Sequence, residues 1–192
     1  HEGTSIVRKS FPTTRKDWES EEVEQEFALL EECRALMNQQ RAILGYPAGK
    51  RLHFKVHGKT EAIASVLTKH KELIEYMENV DNLWIAKTFD VDNPGGLLIL
   101  TSGSIQVRTS MEDADLGKAE ENVQKQMKLL QKEVDRSQQK LGNPDFVAKA
   151  PPEVLTDHRE RLQRETHMIQ LLQQALDQIK LYTLERNRIE RS

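Results

Sequence analysis

Residues 116–144 read LGKAEENVQKQMKLLQKEVDRSQQKLGNP and predict a long helix that ends in a turn. No glycine interrupts residues 118–141, and Gly142-Asn143-Pro144 then stops the helix because proline cannot continue it. Apolar residues recur at steps of three, four and seven along one face: Leu116, Ala119, Val123, Met127, Leu130, Val134 and Leu141. A single apolar face on a long helix indicates that a second element packs against it.

A second long helix is predicted after a loop of about ten residues, with Pro151 or Pro152 in its first turn. Its core positions follow a heptad: Leu155, His158, Leu162, Glu165, Ile169, Leu172, Leu176 and Ile179. Two such stripes of about 30 residues or more, joined by a short connection, predict an antiparallel coiled-coil hairpin within residues 111–192. Each arm of that hairpin is expected to be roughly 45–50 Å long.

Residues 51–110 have the pattern of a small α+β unit. Leu52, Phe54 and Val56 alternate with polar residues, which is typical of a half-buried strand. Thr60 can cap one helix from 61 to about 79, with Ile63, Val66, Leu67, Leu73, Ile74 and Met77 facing inward. Residues 83–89 predict a further strand, and residues 97–100 and 105–109 a hairpin, with turns at 94–96 and 101–104.

Residues 1–50 are predicted to end in a helix that begins near Ser20. Its buried face is expected to comprise Val23, Phe27, Leu30, Cys33 and Met37. The segment from Gly45 to Gly49 ends this helix. The predicted fold class is therefore mainly α, with a small α+β unit and a long helical hairpin at the C-terminus.

The composition excludes several classes of protein. Of the 192 residues, 31% are charged and only 37% are hydrophobic, and the formal net charge is −3. No apolar run approaches the roughly 18 residues of a membrane span, so no membrane association is expected. The single cysteine excludes an internal disulfide framework. The chain starts at His1 without the apolar stretch of a signal peptide, which we interpret as a fragment or a processed product.

The residues that often carry catalysis have structural interpretations here. Cys33 lies on an apolar helix face and is expected to be a core thiol. His53 and His57 would lie roughly 13 Å apart on a strand, beyond the reach of one metal ion. His158 occupies a predicted heptad core position. We therefore expect no catalytic residue, no metal site and no cofactor in this chain.

The basic residues are unevenly distributed. Between Glu32 and Glu61 the sequence holds no acidic residue. The same stretch holds six basic residues: Arg34, Arg41, Lys50, Arg51, Lys55 and Lys59. Such a segment suits a phosphate backbone, although an ordinary solvated surface has the same composition.

The loop between the two long predicted helices carries a specific motif. It reads LGNPDFVAKAP over residues 141–151, followed by Glu153-Val154 and by the charged residues 159–162. This order resembles the C-terminal end of valyl-tRNA synthetases, which have Lys-Leu, Asn, and then Phe-Val-x-Lys-Ala-Pro-x-x-Val. Residues 2–6 with Phe11-Pro12, and the turn at 47–52, resemble two further stretches of that family. The resemblance therefore spans nearly the whole chain.

The resemblance implies an organisation into three parts. Residues 1–50 would end a helical anticodon-binding domain, residues 51–110 would form a small α/β connector domain, and residues 111–192 would be a coiled-coil tRNA-binding arm. The arm would pack against the outer corner of the tRNA, where the D and T loops meet. The tRNA-binding residues expected on this basis, together with the basic segment, are Arg34, Arg41, Lys50, Arg51, Lys140 and Lys149.

The resemblance also implies the partners. The chain would be part of a class I valine–tRNA ligase, a monomer that binds tRNA(Val) in the cytoplasm or, alternatively, in mitochondria. The catalytic and editing domains would lie upstream in the same polypeptide, and ATP and Mg would bind only there. In that family the helix before residue 47 carries arginines at three-residue intervals; Arg41 matches, whereas Ala35 and Asn38 replace two of them.

Two other functions fit the same sequence. The heptad stripes could bind a partner helix, which would make the chain a coiled-coil protein–protein interaction module. Alternatively, the chain could be a ligase-derived paralogue without catalysis.

Overall fold

The computed structural model describes residues 20–47, 49–87 and 96–190. Its elements in chain order are α1 (Glu21–Leu44), β1 (Leu52–Gly58), α2 (Glu61–Lys69), α3 (Lys71–Met77), β2 (Val80–Ala86), β3 (Leu97–Thr101), β4 (Ile105–Ser110), α4 (Leu116–Leu141), α5 (Pro144–Lys149) and α6 (Pro152–Ile189). The fold is mainly α with a small four-stranded sheet, which confirms the predicted fold class. The part of the prediction that covers residues 1–19 and 88–95 lies outside the described residues.

The sheet has the strand order β2-β1-β4-β3. Strands β1 and β2 are parallel, and α2 and α3 form the crossover that a parallel pair requires. Strands β3 and β4 form the predicted antiparallel hairpin. Strand β2 begins at Val80, three residues before the predicted start, and pairs with β1 from Leu52 onward.

The single helix predicted from residue 61 is two helices. Thr60 caps α2 as expected, its Oγ1 accepting from Ile63 N at 3.3 Å. The helix breaks at His70, whose ψ of 16° leaves the helical region. Glu26 of α1 accepts from Lys69 Nζ at 2.8 Å and hydrogen-bonds His70 Nε2 at 2.9 Å. These hydrogen bonds, first that of Lys69 and then that of His70, lower the pKa of Glu26, and they fix the break against α1.

The buried face of α1 starts later than predicted. Cys33 and Met37 are fully buried, but Val23 and Phe27 are 63% and 62% exposed. Leu73 and Met77, which were predicted to face inward on the next helix, are also exposed. Phe27, Leu73 and Met77 line an open apolar groove between α1 and α3. The first two turns of α1 carry core-type residues that no other described residue covers.

Two glutamine side chains complete the hydrogen bonding of the sheet. Gln40 of α1 is fully buried, and its Nε2 donates to Leu98 O at 2.9 Å and to Val107 O at 2.8 Å. Gln178 of α6 pairs with Ile99 of the edge strand β3, accepting from its N at 2.7 Å and donating to its O at 2.9 Å. Helix α6 therefore covers a strand edge that would otherwise expose unpaired backbone groups.

Helices α4 and α6 form an antiparallel hairpin. Arg161 near the start of α6 contacts Glu133 near the end of α4, whereas Lys180 contacts Glu120 near the start of α4. The helices have 26 and 38 residues, so they are about 39 and 57 Å long rather than equal. Helix α4 is shorter than predicted because Asp115 caps its start and Gly142 ends it.

The predicted heptad of α6 faces α4 throughout. Leu172 and Ile179 are fully buried beside the sheet, whereas His158 and Leu162, far from the sheet, are half-buried. The proximal part of the hairpin shares one apolar core with α1 and the sheet. Among the residues that the structure describes, the distal part consists of the two helices and their connection.

The connection between α4 and α6, for which the sequence predicts a loop of about ten residues, is partly helical. It contains the short helix α5, because Asn143 caps it and Pro144 supplies its first turn. Asn143 Oδ1 accepts from Asp145 N at 3.0 Å. The ring of Phe146 meets that of His158 edge-on, with centroids 5.7 Å apart. Helix α5 is thereby held against the start of α6.

Cys33 is expected to be unreactive in the folded protein. Burial raises the pKa of its thiol to about 12, so almost no thiolate forms at pH 8. Its Sγ lies 3.9 Å from Met37 Sδ inside the core. Ellman's reagent at pH 8 should therefore leave the thiol intact in buffer and modify it rapidly in 6 M urea. Modification of the native protein at the rate of a free thiol would contradict the buried position.

Several classes of site are missing from the part of the chain that the structure describes. None of its helices is long and apolar enough to cross a membrane. It contains no group of three or more His, Cys, Asp or Glu side chains that could hold a metal ion. His53 is 73% exposed on β1, whereas His57 on the same strand is buried.

Candidate nucleic-acid interface

Two of the predicted RNA-binding residues lie at the distal end of the hairpin. Lys140 is in the last turn of α4, and Lys149 is the last residue of α5. Both side chains are exposed, and neither has a carboxylate partner among residues 20–47, 49–87 and 96–190. The capped turn at Gly142-Asn143 lies between these two lysines in the chain.

Helix α4 carries a row of basic residues that the sequence analysis did not single out. Lys128, Lys132, Arg136 and Lys140 follow one another at intervals of four residues, and all four are exposed. Side chains at that spacing share a helix face at steps of about 6 Å. We call these four residues the α4 basic row. The four-residue spacing that marks the row is present in the sequence, but it overlaps the stronger apolar stripe of the same helix.

The charge of the distal hairpin differs from that of the whole chain. Residues 125–164 hold nine Lys or Arg and six Asp or Glu, while the chain as a whole has a formal net charge of −3. Within the row, Lys128 and Lys132 have no carboxylate partner in the described part of the protein, whereas Arg136 contacts Glu133 at 2.5 Å. The end of the rod is therefore a basic region of an acidic molecule.

The other four predicted residues gather at the opposite end of α4. Arg34 and Arg41 lie on α1, and Lys50 and Arg51 lie just before β1. Lys50 Nζ is 3.7 Å from Asp113 Oδ2, two residues before the cap of α4. The predicted set thus forms two groups, one of Lys140 and Lys149 at the far end of the hairpin and one of the other four residues on α1 and just before β1.

We call Arg34, Arg41, Lys50 and Arg51 the body group, and its three arginines converge on the α3–β2 turn and the first residues of β2. Arg34 Nε donates to Glu78 Oε1 at 2.7 Å, and the pKa of Arg34 is raised by this hydrogen bond first. Arg51 Nη2 donates to Val80 O at 3.0 Å. The Nε of Arg51 lies 3.5 Å from Asp81 Oδ1.

Arg41 is buried, and in the described structure its guanidinium donates hydrogen bonds to backbone carbonyls. Its Nη1 donates to Lys50 O at 2.6 Å, and its Nη2 donates to Glu78 O at 2.7 Å and Asn79 O at 3.2 Å. The residue as a whole is 6% exposed, and its guanidinium also lies over the ring of Phe54. Burial lowers the pKa of Arg41. A guanidinium held on three carbonyls joins α1, the start of β1 and the α3–β2 turn.

The folded chain supplies the countercharges that the basic segment lacks in sequence. Glu78, Asp81 and Asp113 lie beside Arg34, Arg51 and Lys50, respectively. Lys50 Nζ also sits 4.0 Å above the ring of Tyr46. The body group is therefore a compensated surface, whereas the distal group retains uncompensated lysines.

The hairpin is similar in sequence to a known family. Residues 115–180 match the family described as the valyl-tRNA synthetase tRNA binding arm. The matched segment is the hairpin of α4 and α6. The matched residues run from the cap of α4 to the last part of α6 and include α5, Lys140 and Lys149.

Curated relatives extend the similarity beyond the arm. A valine–tRNA ligase of Carboxydothermus hydrogenoformans is 29% identical over 163 residues, 84% of this chain. Valine–tRNA ligases of Bacillus thuringiensis subsp. konkukian and Bacillus subtilis are 28% and 26% identical over 85% and 84% of this chain. The resemblance to the C-terminal region of these enzymes is confirmed. The chain spans only 18% of the length of these relatives.

Proposed function

We propose that this chain binds tRNA(Val) through its arm and so holds the tRNA for aminoacylation by a valine–tRNA ligase. The observation that carries the proposal is the set of uncompensated lysines on the arm that matches a tRNA binding family. Binding of this kind fixes the position of the substrate and raises its effective concentration. The arm would act before chemistry, by positioning.

The arm suits an RNA partner through shape and charge. Folded RNA is recognised largely by its shape and by its backbone phosphates. A rod with lysines along one face and at its end can follow such a surface without reading bases. We propose Lys140 and Lys149 as contacts, together with Lys128 and Lys132 of the α4 basic row.

The body group would have a secondary part. Lys50, Arg34 and Arg51 are partly exposed and stay candidate contacts to another region of the tRNA. Each of them already has a carboxylate neighbour, so each would contribute less net attraction than an uncompensated lysine. For Arg41 we propose a structural role.

The rest of the enzyme would supply the chemistry. Since the chain spans 18% of its curated relatives, we propose that amino-acid activation, editing, ATP and Mg belong to the remainder of a class I ligase. In this proposal the protein works as a monomer in the cytoplasm.

The alternative of a helix-binding module receives less support. Its premise is that the heptad stripe is free for a partner helix. The apolar positions of α6 face α4, and Leu172, Leu176 and Ile179 are buried. The stripe is therefore used within the chain.

Direct binding of tRNA tests the proposal. We expect the chain to bind a fluorescently labelled tRNA(Val) transcript, with log K falling linearly as log salt rises. The double variant Lys140→Glu and Lys149→Glu should bind about ten- to a hundredfold more weakly and show a shallower salt dependence. Fluorescence anisotropy from 50 to 200 mM KCl measures both quantities.

A matched control separates the arm from general charge. Lys71→Glu with Lys87→Glu makes the same change in net charge on exposed lysines of the α/β unit. This control should retain affinity within about threefold, since these lysines lie outside the arm. Equal binding by the arm variant and the wild type, with helix content unchanged in circular dichroism, would refute the arm as an RNA contact.

A further inference from the structure

A groove lies between the end of α4 and the start of α6, beside the α4 basic row. Its volume is about 420 Å³. Its charged or ionisable lining residues are Glu133, Arg136, Lys140, His158 and Arg161, and the buried Ser137 also lines it. Pockets of about 300–1,000 Å³ are the size that holds a small organic molecule. We call it the tip groove.

One carboxylate orders the two arginines of the tip groove. Glu133 Oε1 accepts from Arg136 Nη1 at 2.5 Å, and its Oε2 accepts from Arg161 Nη2 at 2.9 Å. Arg161 Nε donates to Glu165 Oε1 at 2.7 Å. Both guanidinium groups are therefore held in place before any ligand arrives, which reduces the entropy that a ligand must overcome.

Each of these cations keeps donors for a ligand. Nε and Nη2 of Arg136, Nη1 of Arg161 and Nζ of Lys140 have no acceptor in the part of the chain that the structure describes. Planar guanidinium groups and an ammonium group are the donors that proteins use for phosphate. Glu133 and Glu165 offset part of the charge of the two arginines, so it is their unused donors together with Lys140, unpaired among the described residues, that suit the tip groove to one phosphate group.

The α6 wall of the groove suits a base. The His158 ring lines this wall and is fixed edge-on by Phe146. Its Nδ1 is buried and has no hydrogen-bond partner within the described residues. Aromatic and imidazole rings are common platforms for unstacked bases of RNA.

We propose that the tip groove binds a single unstacked nucleotide of an RNA loop, with its phosphate on Arg136, Lys140 and Arg161 and its base against His158. This inference rests on the proposed function and assigns a distinct site within it. Lysines of the row would hold the backbone by charge alone, whereas the tip groove would hold one nucleotide by its shape and its hydrogen bonds.

The wild-type protein allows a first test that needs no loss-of-function variant. The His158 ring signals are identified in a ¹H–¹⁵N spectrum by comparison with His158→Gln. Adenosine 5′-monophosphate or uridine 5′-monophosphate should shift these signals in a saturable manner. Inorganic phosphate at the same concentration should shift them less. Equal shifts with inorganic phosphate would overturn the claim that a nucleotide is held.

Variants of the groove provide the second test, with tRNA(Val) as the ligand. Arg136→Gln and Arg161→Gln should each weaken tRNA binding about tenfold, the loss expected for one charge-assisted contact. The matched control is Arg164→Gln, because Arg164 lies on the same helix, outside the groove, and contacts only Glu160 at 3.6 Å among the described residues. This control should stay within about twofold of the wild type.

The outcomes distinguish the groove from the arm as a whole. Wild-type affinity in both groove variants, with unshifted His158 signals when tRNA is added, would overturn the tip groove, even if Lys149→Glu still weakens binding. Loss of binding in the groove variants, with shifted His158 signals, supports it. Undiminished binding in Lys149→Glu and in the groove variants alike would instead reject the proposed function, and the mononucleotide titration would still decide whether the groove takes a nucleotide.

Discussion

Replacing Arg41 by alanine is expected to destabilise the protein by about 3 kcal/mol, because a buried carbonyl left without a donor costs about 1–3 kcal/mol and the two partly buried ones add to that cost. The Arg41 guanidinium donates to three carbonyls, those of Lys50, Glu78 and Asn79. Asn79 has a φ of 50°, so this turn uses the left-handed region, which asparagine tolerates. Without Arg41, α1 would still contact this turn through the Arg34–Glu78 ion pair, but the three carbonyls would lose a donor.

Urea denaturation followed by circular dichroism measures this loss. Arg51→Ala is the matched control, because Arg51 contacts the same segment from an exposed position and is 62% exposed. We expect the control to lose no more than about 1 kcal/mol. An equal loss in Arg41→Ala and Arg51→Ala would mean that the three carbonyl contacts contribute nothing beyond a surface arginine.

The conservative change Arg41→Lys separates structure from RNA contact. An ammonium group on a flexible stem cannot reproduce the planar fork that reaches three carbonyls, so most of the stability loss should remain. At a temperature where both proteins are folded, tRNA affinity should match the wild type within about twofold, since the positive charge is kept. Weaker binding by the folded Lys variant would give Arg41 a direct role with RNA.

Periodicity predicted the elements in which residues of one type recur at a regular spacing. The stripes of α4 and α6, the cap at Thr60 and the β3–β4 hairpin all follow from spacing within about 30 residues, and the structure confirms them. The loop motif at residues 141–151 identified the arm because it is a specific order of residues. These features depend on local sequence alone.

Other features depend on residues that are distant in sequence. The break at His70 is fixed by Glu26, which is 44 residues away. The basic segment appeared uncompensated, because Glu78, Asp81 and Asp113 come close only in the folded chain. No local pattern shows that Arg41 turns inward, since arginine on a helix end is usually an exposed residue. Sequence reasoning could therefore find cations but not their partners.

The exposed turns of α1 show the opposite limit. Val23 and Phe27 continue the apolar stripe of Cys33 and Met37, and periodicity cannot tell which part of a stripe is covered. Burial depends on which element packs there, and the sheet reaches only the second half of α1. A stripe predicts a face that can be buried, and the tertiary arrangement decides how much of it is.

The largest functional effect is expected when the α4 basic row and the tip are changed together. The variant carrying Lys128→Glu and Lys132→Glu in addition to Lys140→Glu and Lys149→Glu should bind tRNA(Val) about a thousandfold more weakly at 50 mM salt. The slope of log K against log salt should become less steep by about three to four, since each phosphate contact contributes nearly one. Anisotropy titrations over a salt series measure both.

The two pairs differ in what they report. Lys128 and Lys132 lie along α4, whereas Lys140 and Lys149 lie at its end, so the change in slope for each pair counts the phosphates near that part of the rod. We call Lys128 and Lys132 the shaft pair, and Lys140 and Lys149 the tip pair. If the α4 face lies along the RNA, changing the shaft pair alone should make the slope of log K against log salt less steep by one to about two. An unchanged slope for the shaft pair, with a reduced slope for the tip pair, would mean that the arm touches RNA only with its end. Circular dichroism is the control: we expect full helix content in every variant, which would exclude unfolding of the rod as the cause of either result.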